Sequence, residues 1–141
     1  MINLYVYKNN NHKNRRTGDC TIRAFMEIVD QSPEEILKEL VDVYLKTGYF
    51  IDDPKGYDKW LNTKGYFKQK QARKDGSKRY KADEFCEYLN KTITSSEKFA
   101  IPAHVGGNHI SVFVWDEKQG YVLQDIWDCS DRCVGNYWIK L

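Results

Sequence analysis

The sequence predicts an α+β domain with helices in its first two thirds and an antiparallel sheet after them. Three observations predict it. Between residues 20 and 90 the apolar residues recur at helical spacing between caps and glycine stops. From residue 99 onward they alternate in short runs bounded by turn residues. The length of 141 residues fits one domain, 1–141, and ten Tyr, six Phe and four Trp make its core largely aromatic.

Taken in order, Met1 to Tyr7 alternates like a strand. Ile22, Phe25, Met26 and Val29 fall at i, i+3, i+4 and i+7 and form one buried helical stripe, with Cys20 just ahead of it. Thr17 or Asp19 supplies the cap, and Gly18 allows a tight entry. Ser32-Pro33-Glu34-Glu35 is a capping box with proline at the first helical position, and Ile36, Leu37, Leu40, Val41 and Tyr44 carry that helix to Gly48. A short helix over Tyr57 to Thr63 stops at Gly65. Tyr66 to Lys70 and Arg79-Tyr80 read as a charged hairpin turning at Lys74-Asp75-Gly76-Ser77. A helix over Ala82 to Asn90 turns Phe85, Tyr88 and Leu89 inward, with Cys86 in the core. Four strands follow, over Phe99 to Val105, His109 to Trp115, Tyr121 to Trp127 and Asn136 to Leu141. Trp127, Tyr137 and Trp138 are expected in the packing of that sheet.

The chemistry-bearing residues emerge from this layout. A thiol at the first turn of a helix gains from the partial positive charge there, which favours the thiolate, although a free cysteine is commonly just a small buried hydrophobe. His109 follows the glycine turn Val105-Gly106-Gly107-Asn108 and opens a strand. Asp125 lies in the next apolar run, where a carboxylate needs a partner. An imidazole held by a carboxylate on one side and facing a thiol on the other is the arrangement that activates a cysteine nucleophile. Asp128, three residues on, is the competing carboxylate if the register slips.

The order Cys20, His109, Asp125, with the cysteine heading a helix and the other two on successive antiparallel strands, resembles the papain-like cysteine peptidases. Closer still, Gly18-Asp19-Cys20-Thr21-Ile22-Arg23-Ala24 and Asp125-Ile126-Trp127-Asp128-Cys129-Ser130-Asp131-Arg132, followed by Val134 and Tyr137-Trp138, resemble a group of small phage and prophage proteins expected to have that fold. Residues 45 to 100 or so lie outside the likeness. The resemblance implies a papain-like cysteine peptidase fold and a thiol hydrolase, a cysteine peptidase or amidase, with Cys20 as nucleophile, His109 as base and Asp125 as its orienting group. Papain-type enzymes also place a glutamine six residues before the cysteine to bind the oxyanion. That position is Asn14 here, whose shorter amide offers the same donor beside the Cys20 backbone N–H, and which is equally a solvated loop residue. The family signature differs in its flanking cysteine and aromatic, and in a histidine much farther downstream, so this chain reads as a stripped-down relative or, equally, as a degenerate one that kept the fold and lost the chemistry.

Composition excludes several classes. A net charge of +2 is too small for a nucleic-acid binder, and the seven basic residues between Lys68 and Lys81 read as a solvated surface as readily as an acidic-partner site. The N-terminus lacks a basic n-region and a long apolar core, and no run reaches membrane-span length, so a reduced, cytoplasmic protein is expected, in the host cytoplasm if phage-encoded. No cofactor is implied. Cys129, Cys133, His104 and His109 form a Cys2His2 zinc set on paper, but Ser130-Asp131-Arg132 is a polar connection rather than a glycine-bearing knuckle, so no metal is expected. The expected partner is a protein or peptide substrate. The alternatives are a non-catalytic phage protein on the same scaffold that binds and inhibits a host factor, and a structural virion component.

Overall fold

The computed structural model describes residues 4–141, so the start of the expected N-terminal strand, residues 1–3, lies outside the described residues. Its elements run β1 (Tyr5–Tyr7), α1 (Cys20–Phe25), α2 (Pro33–Thr47), α3 (Pro54–Thr63), β2 (Tyr66–Gln69), α4 (Ala82–Thr92), β3 (Ile101–Val105), β4 (Ile110–Asp116), β5 (Gly120–Asp125) and β6 (Val134–Lys140). This is a mixed α+β fold built on one six-stranded sheet of order β1-β5-β4-β3-β6-β2.

The sheet differs from the expected antiparallel one at both edges. β1 pairs in parallel with β5, Tyr5 opposite Leu123. β2 does not fold back on Arg79-Tyr80 but joins β6 in antiparallel register, Lys68 opposite Trp138, leaving only an isolated bridge between Arg73 and Arg79. The reason is burial. Tyr66 opens β2 with its side chain fully buried, and its hydroxyl donates to the Ala100 carbonyl at 2.8 Å, which a solvated hairpin would not provide.

Period-two alternation assigns each strand face a helix layer. Ile101, Ala103, Phe113, Tyr121, Leu123 and Tyr137 face α4, meeting Phe85, Cys86 and Leu89. Ile110, Val112 and Trp138 face α1, α2 and α3, meeting Phe25, Ile36, Leu40, Tyr57 and Trp60. Phe25 stacks on Trp60 at 4.7 Å between centroids, and the Trp138 indole N–H donates to Asp58 at 2.8 Å, so even the largest core rings have satisfied polar ends. The α2 capping box forms as expected, Ser32 accepting from the Glu35 N–H and Glu35 from the Ser32 N–H. α1 is shorter than its apolar stripe: it ends at Phe25, and Met26 to Val29 continue in turns. No helix among the described residues is long and apolar enough to cross a membrane.

Candidate active site

The β4–β5 register places Val112 opposite Gln124. Continued toward the sheet end, it sets Ser111 opposite Asp125 and Trp127 opposite His109, so the three polar groups share one face where β4 begins and β5 stops. α1 packs against β4 and brings Cys20 to the same end. The His109 ring and the Ile110 backbone N–H lie beside the Cys20 sulfur and favour its thiolate.

Asp125 is the hub. His109 Nε2 donates to its Oδ2 at 2.6 Å, and the Ser111 hydroxyl donates to the same oxygen at 2.7 Å. Its other oxygen accepts from Arg23 Nη1 at 3.1 Å and from the Ile126 N–H at 2.7 Å. A carboxylate only accepts, so the proton of the short contact sits on Nε2, and Nδ1 is the nitrogen left for a second partner. Burial pushes the Asp125 carboxyl up, but His109 and Ser111 outweigh it and hold the group below its ordinary value. Asp128, the rival, is exposed and accepts from the Ser130 N–H at 3.0 Å in a turn of its own.

The charge on the pair has a traceable cause. Burial opposes the imidazolium, yet the hydrogen bond to Asp125, with the Cys129 and Cys20 sulfurs beside the ring, pushes His109 up to about 11. Burial likewise opposes the Cys20 thiolate, and the adjacent His109 ring and Ile110 N–H together with the charges of His109 and Arg23 bring the thiol below its ordinary value. Both shifts favour a thiolate–imidazolium pair. The expected helix-terminus effect is secondary, since α1 has 6 residues and its cap residue Asp19 makes no side-chain cap bond. Asp19 instead accepts from Arg23 Nε at 2.7 Å and from Asn11 Nδ2 at 2.8 Å. A continuous hydrogen-bonded chain therefore runs Asn11, Asp19, Arg23, Asp125, His109, tying the imidazole beside Cys20 to one buried guanidinium.

Arg23 and Ser111 carry roles that the sequence reading missed. The signal for Ser111 was present, a small hydroxyl two residues after His109 on the same strand face. Arg23 offered none, because its burial depends on Asp125, 102 positions away. Trp127 departs from the expectation of a core residue: it is 36% exposed, tilted against the His109 ring at 5.4 Å, with the Arg132 guanidinium 5.9 Å from its own ring. Tyr137 and Trp138 are buried. Asn14 sits on an exposed turn with φ 54°, its backbone N–H donating to the Asn11 carbonyl, and its amide is not among the groups converging on the sulfur.

Of the four paper ligands for zinc, the structure gathers only two. His104 is taken by the Tyr57 hydroxyl on the α3 side of the sheet, and Cys133 is exposed. The group that does converge is His109, Asp125 and Cys129, with ligand atoms within 4.8 Å of one another. A cation there would have to replace the Nε2 proton and sit beside Arg23, so the charge already present competes with it. Behind Cys20 lies a pocket of about 10 Å³ that includes Arg23, Ser111 and Gln124, room for one water. A separate groove of about 740 Å³ is lined by Gly18, Asp19, Thr21 and Ile22, the sequence neighbours of Cys20, and by residues of α2 and the segment before α3.

Comparison with protein-family models, with curated proteins and with solved structures gave no match.

Proposed function

We propose that this protein is a papain-like thiol hydrolase that cuts an amide bond in a protein or peptide, with Cys20 as nucleophile and His109 as acid and base. The observation that carries the reading is the His109 ring, bonded at 2.6 Å to the buried Asp125 carboxylate and close enough to the Cys20 sulfur to favour its thiolate. In the reaction the thiolate adds to the acyl carbon, and the oxyanion is met by the Cys20 backbone N–H at the start of α1. The imidazolium gives its proton to the leaving amine as the C–N bond breaks, forming the acyl-enzyme. Water then adds with its proton passing to the imidazole, and the thiolate leaves. Asp125 fixes the ring and its tautomer throughout, and Trp127 covers the pair from solvent. The likeness of residues 18–24 and 125–132, with Val134, Tyr137 and Trp138, to small phage proteins is the ground for a phage-type enzyme acting in a host cytoplasm. A non-catalytic inhibitor on the same scaffold would need neither an ionised pair nor a reachable sulfur.

The test is alkylation against pH. Iodoacetamide should modify Cys20 faster than the other cysteines at pH 6, and the His109→Ala variant should lose about 100-fold of that rate. Labelling led by the exposed Cys133, or a rate indifferent to His109, would remove the nucleophile.

A further inference from the structure

A groove at the start of α1 is lined by the sequence neighbours of Cys20, Gly18, Asp19, Thr21 and Ile22, while Cys20 itself lines the small pocket behind it. The apolar wall of the groove is Ile22, Pro33, Leu37, Phe50 and Ile51, and its charged groups are Asp19, Glu34 and Asp52. No lysine or arginine lines it; His12 is the single residue there able to carry a positive charge. Asp19 is already committed to Arg23 and Asn11, but Asp52 is exposed with no ion pair among the described residues, and Glu34 meets only Lys38 in a solvent-exposed pair, which contributes little.

The apolar wall does not stop at the groove. Leu37 continues into Val41, Tyr44 and Leu45, spaced i, i+4, i+7 and i+8 along α2 and all exposed, Leu45 by 73%, and Phe50 packs edge-on against Tyr44 at 5.4 Å. α2 thus has two apolar faces. Ile36 and Leu40 bury one in the core, and the other runs uncovered from the groove along the helix.

We infer that the groove and the outer face of α2 receive a stretch of polypeptide combining large apolar with basic side chains, so that the substrate is a protein segment rather than a cell-wall stem peptide or a small amide. The inference rests on the thiol hydrolase reading for what happens to that segment, and on the groove alone for what binds. Two features of the surface select the class. An apolar face extending along several helical turns matches a chain of several residues and exceeds what a small amide covers. Carboxylates at the groove repel the free carboxylates that cell-wall stem peptides carry and attract lysine or arginine.

The test separates binding from cleavage. Fluorescein-labelled peptides of equal length are titrated against the Cys20→Ala protein: one with Leu, Phe and Lys, one with its Lys replaced by Glu, one with its Leu and Phe replaced by Ser, together with a cell-wall stem peptide. The first should bind roughly tenfold tighter than each of the others, the preference a few apolar and charged contacts supply. In the same background, Glu34→Lys with Asp52→Lys should reverse the preference between Lys and Glu, and Leu37→Ser should shrink that between Leu-Phe and Ser. All three positions are exposed, and the melting curve of each variant verifies the fold. Affinities within twofold of one another, a stem peptide that binds best, or a Lys preference indifferent to Glu34 and Asp52 would overturn the inference. Tight binding to Cys20→Ala with no cleavage by the wild type would leave the groove assignment standing and remove the hydrolase.

Discussion

At the residue scale, the ionisation of the Cys20 thiol is set by the groups around it rather than by the cysteine itself. Cys86 makes the contrast. It is as much a helical cysteine as Cys20, but burial without a cation pushes its thiol up to about 12. Asp125→Asn keeps the shape and removes the charge that holds the imidazolium, so it should slow Cys20 alkylation at pH 6 by about tenfold or more while Asp128→Asn leaves the rate unchanged. Equal effects of the two would show that the carboxylate acts only through the general field. Trp127→Ala should lower stability by about 1 kcal/mol or less, because the ring is partly solvated, instead of the larger loss a core tryptophan would show. Its effect should appear in the salt dependence of Cys20 alkylation, since opening the His109–Asp125 pair to water screens it.

At the element scale, α1 is held by polar contacts as much as by its apolar stripe. Arg23, 7% exposed, bridges Asp19 at 2.7 Å on its own helix and Asp125 at 3.1 Å on β5. Its removal leaves the buried Asp125 and the half-buried Asp19 short of a partner, so Arg23→Met is expected to cost about 3 kcal/mol by chemical denaturation. A loss below about 1 kcal/mol would mean that His109 and Ser111 suffice for Asp125. The strand register is the second element-level device. With Val112 opposite Gln124, a slip of one residue would turn Asp125 to the face packed by α1 to α3 and leave His109 without it.

For the whole molecule, the ionised pair should be visible in stability against pH. His109 is raised from 6.5 to about 11, so its contribution is complete below pH 6.5 and lost as pH climbs toward 11. Asp125 is lowered from 3.8, so its contribution is complete above pH 3.8 and lost as pH falls through its lower folded value. Cys20 is lowered from 9.0, so its contribution is complete above pH 9.0 and lost as pH falls through the folded value. Between pH 6.5 and 9.0 the His109 and Cys20 slopes oppose each other. The melting temperature of the Cys20→Ala variant should therefore fall across that interval while that of the wild type changes less; parallel curves would show that no thiolate–imidazolium pair forms. Trp138→Ala, fully buried between α3 and the sheet, should cost about 3–5 kcal/mol.

What the sequence by itself determined was local. Helical spacing after Cys20, the glycine turn before His109 and a lone carboxylate in an apolar strand located the three groups, because each signal spans only a few residues and obeys a fixed period. The capping box at Ser32 and the α4 stripe were legible for the same reason. Only the tertiary structure decided the rest. β2 pairs with β6 rather than with its neighbour in sequence because a buried Tyr66 outweighs the short loop. Arg23 becomes a buried tie, Trp127 an exposed cover over His109, and Cys129 a neighbour of Asp125, its Sγ 3.9 Å from Oδ2, because sheet register and helix docking bring together residues whose own periodicity carries no record of the meeting. Asn14 shows the limit from the other side. Its spacing to Cys20 pointed to a role, but the backbone of its turn sets where the amide goes, and that turn faces solvent.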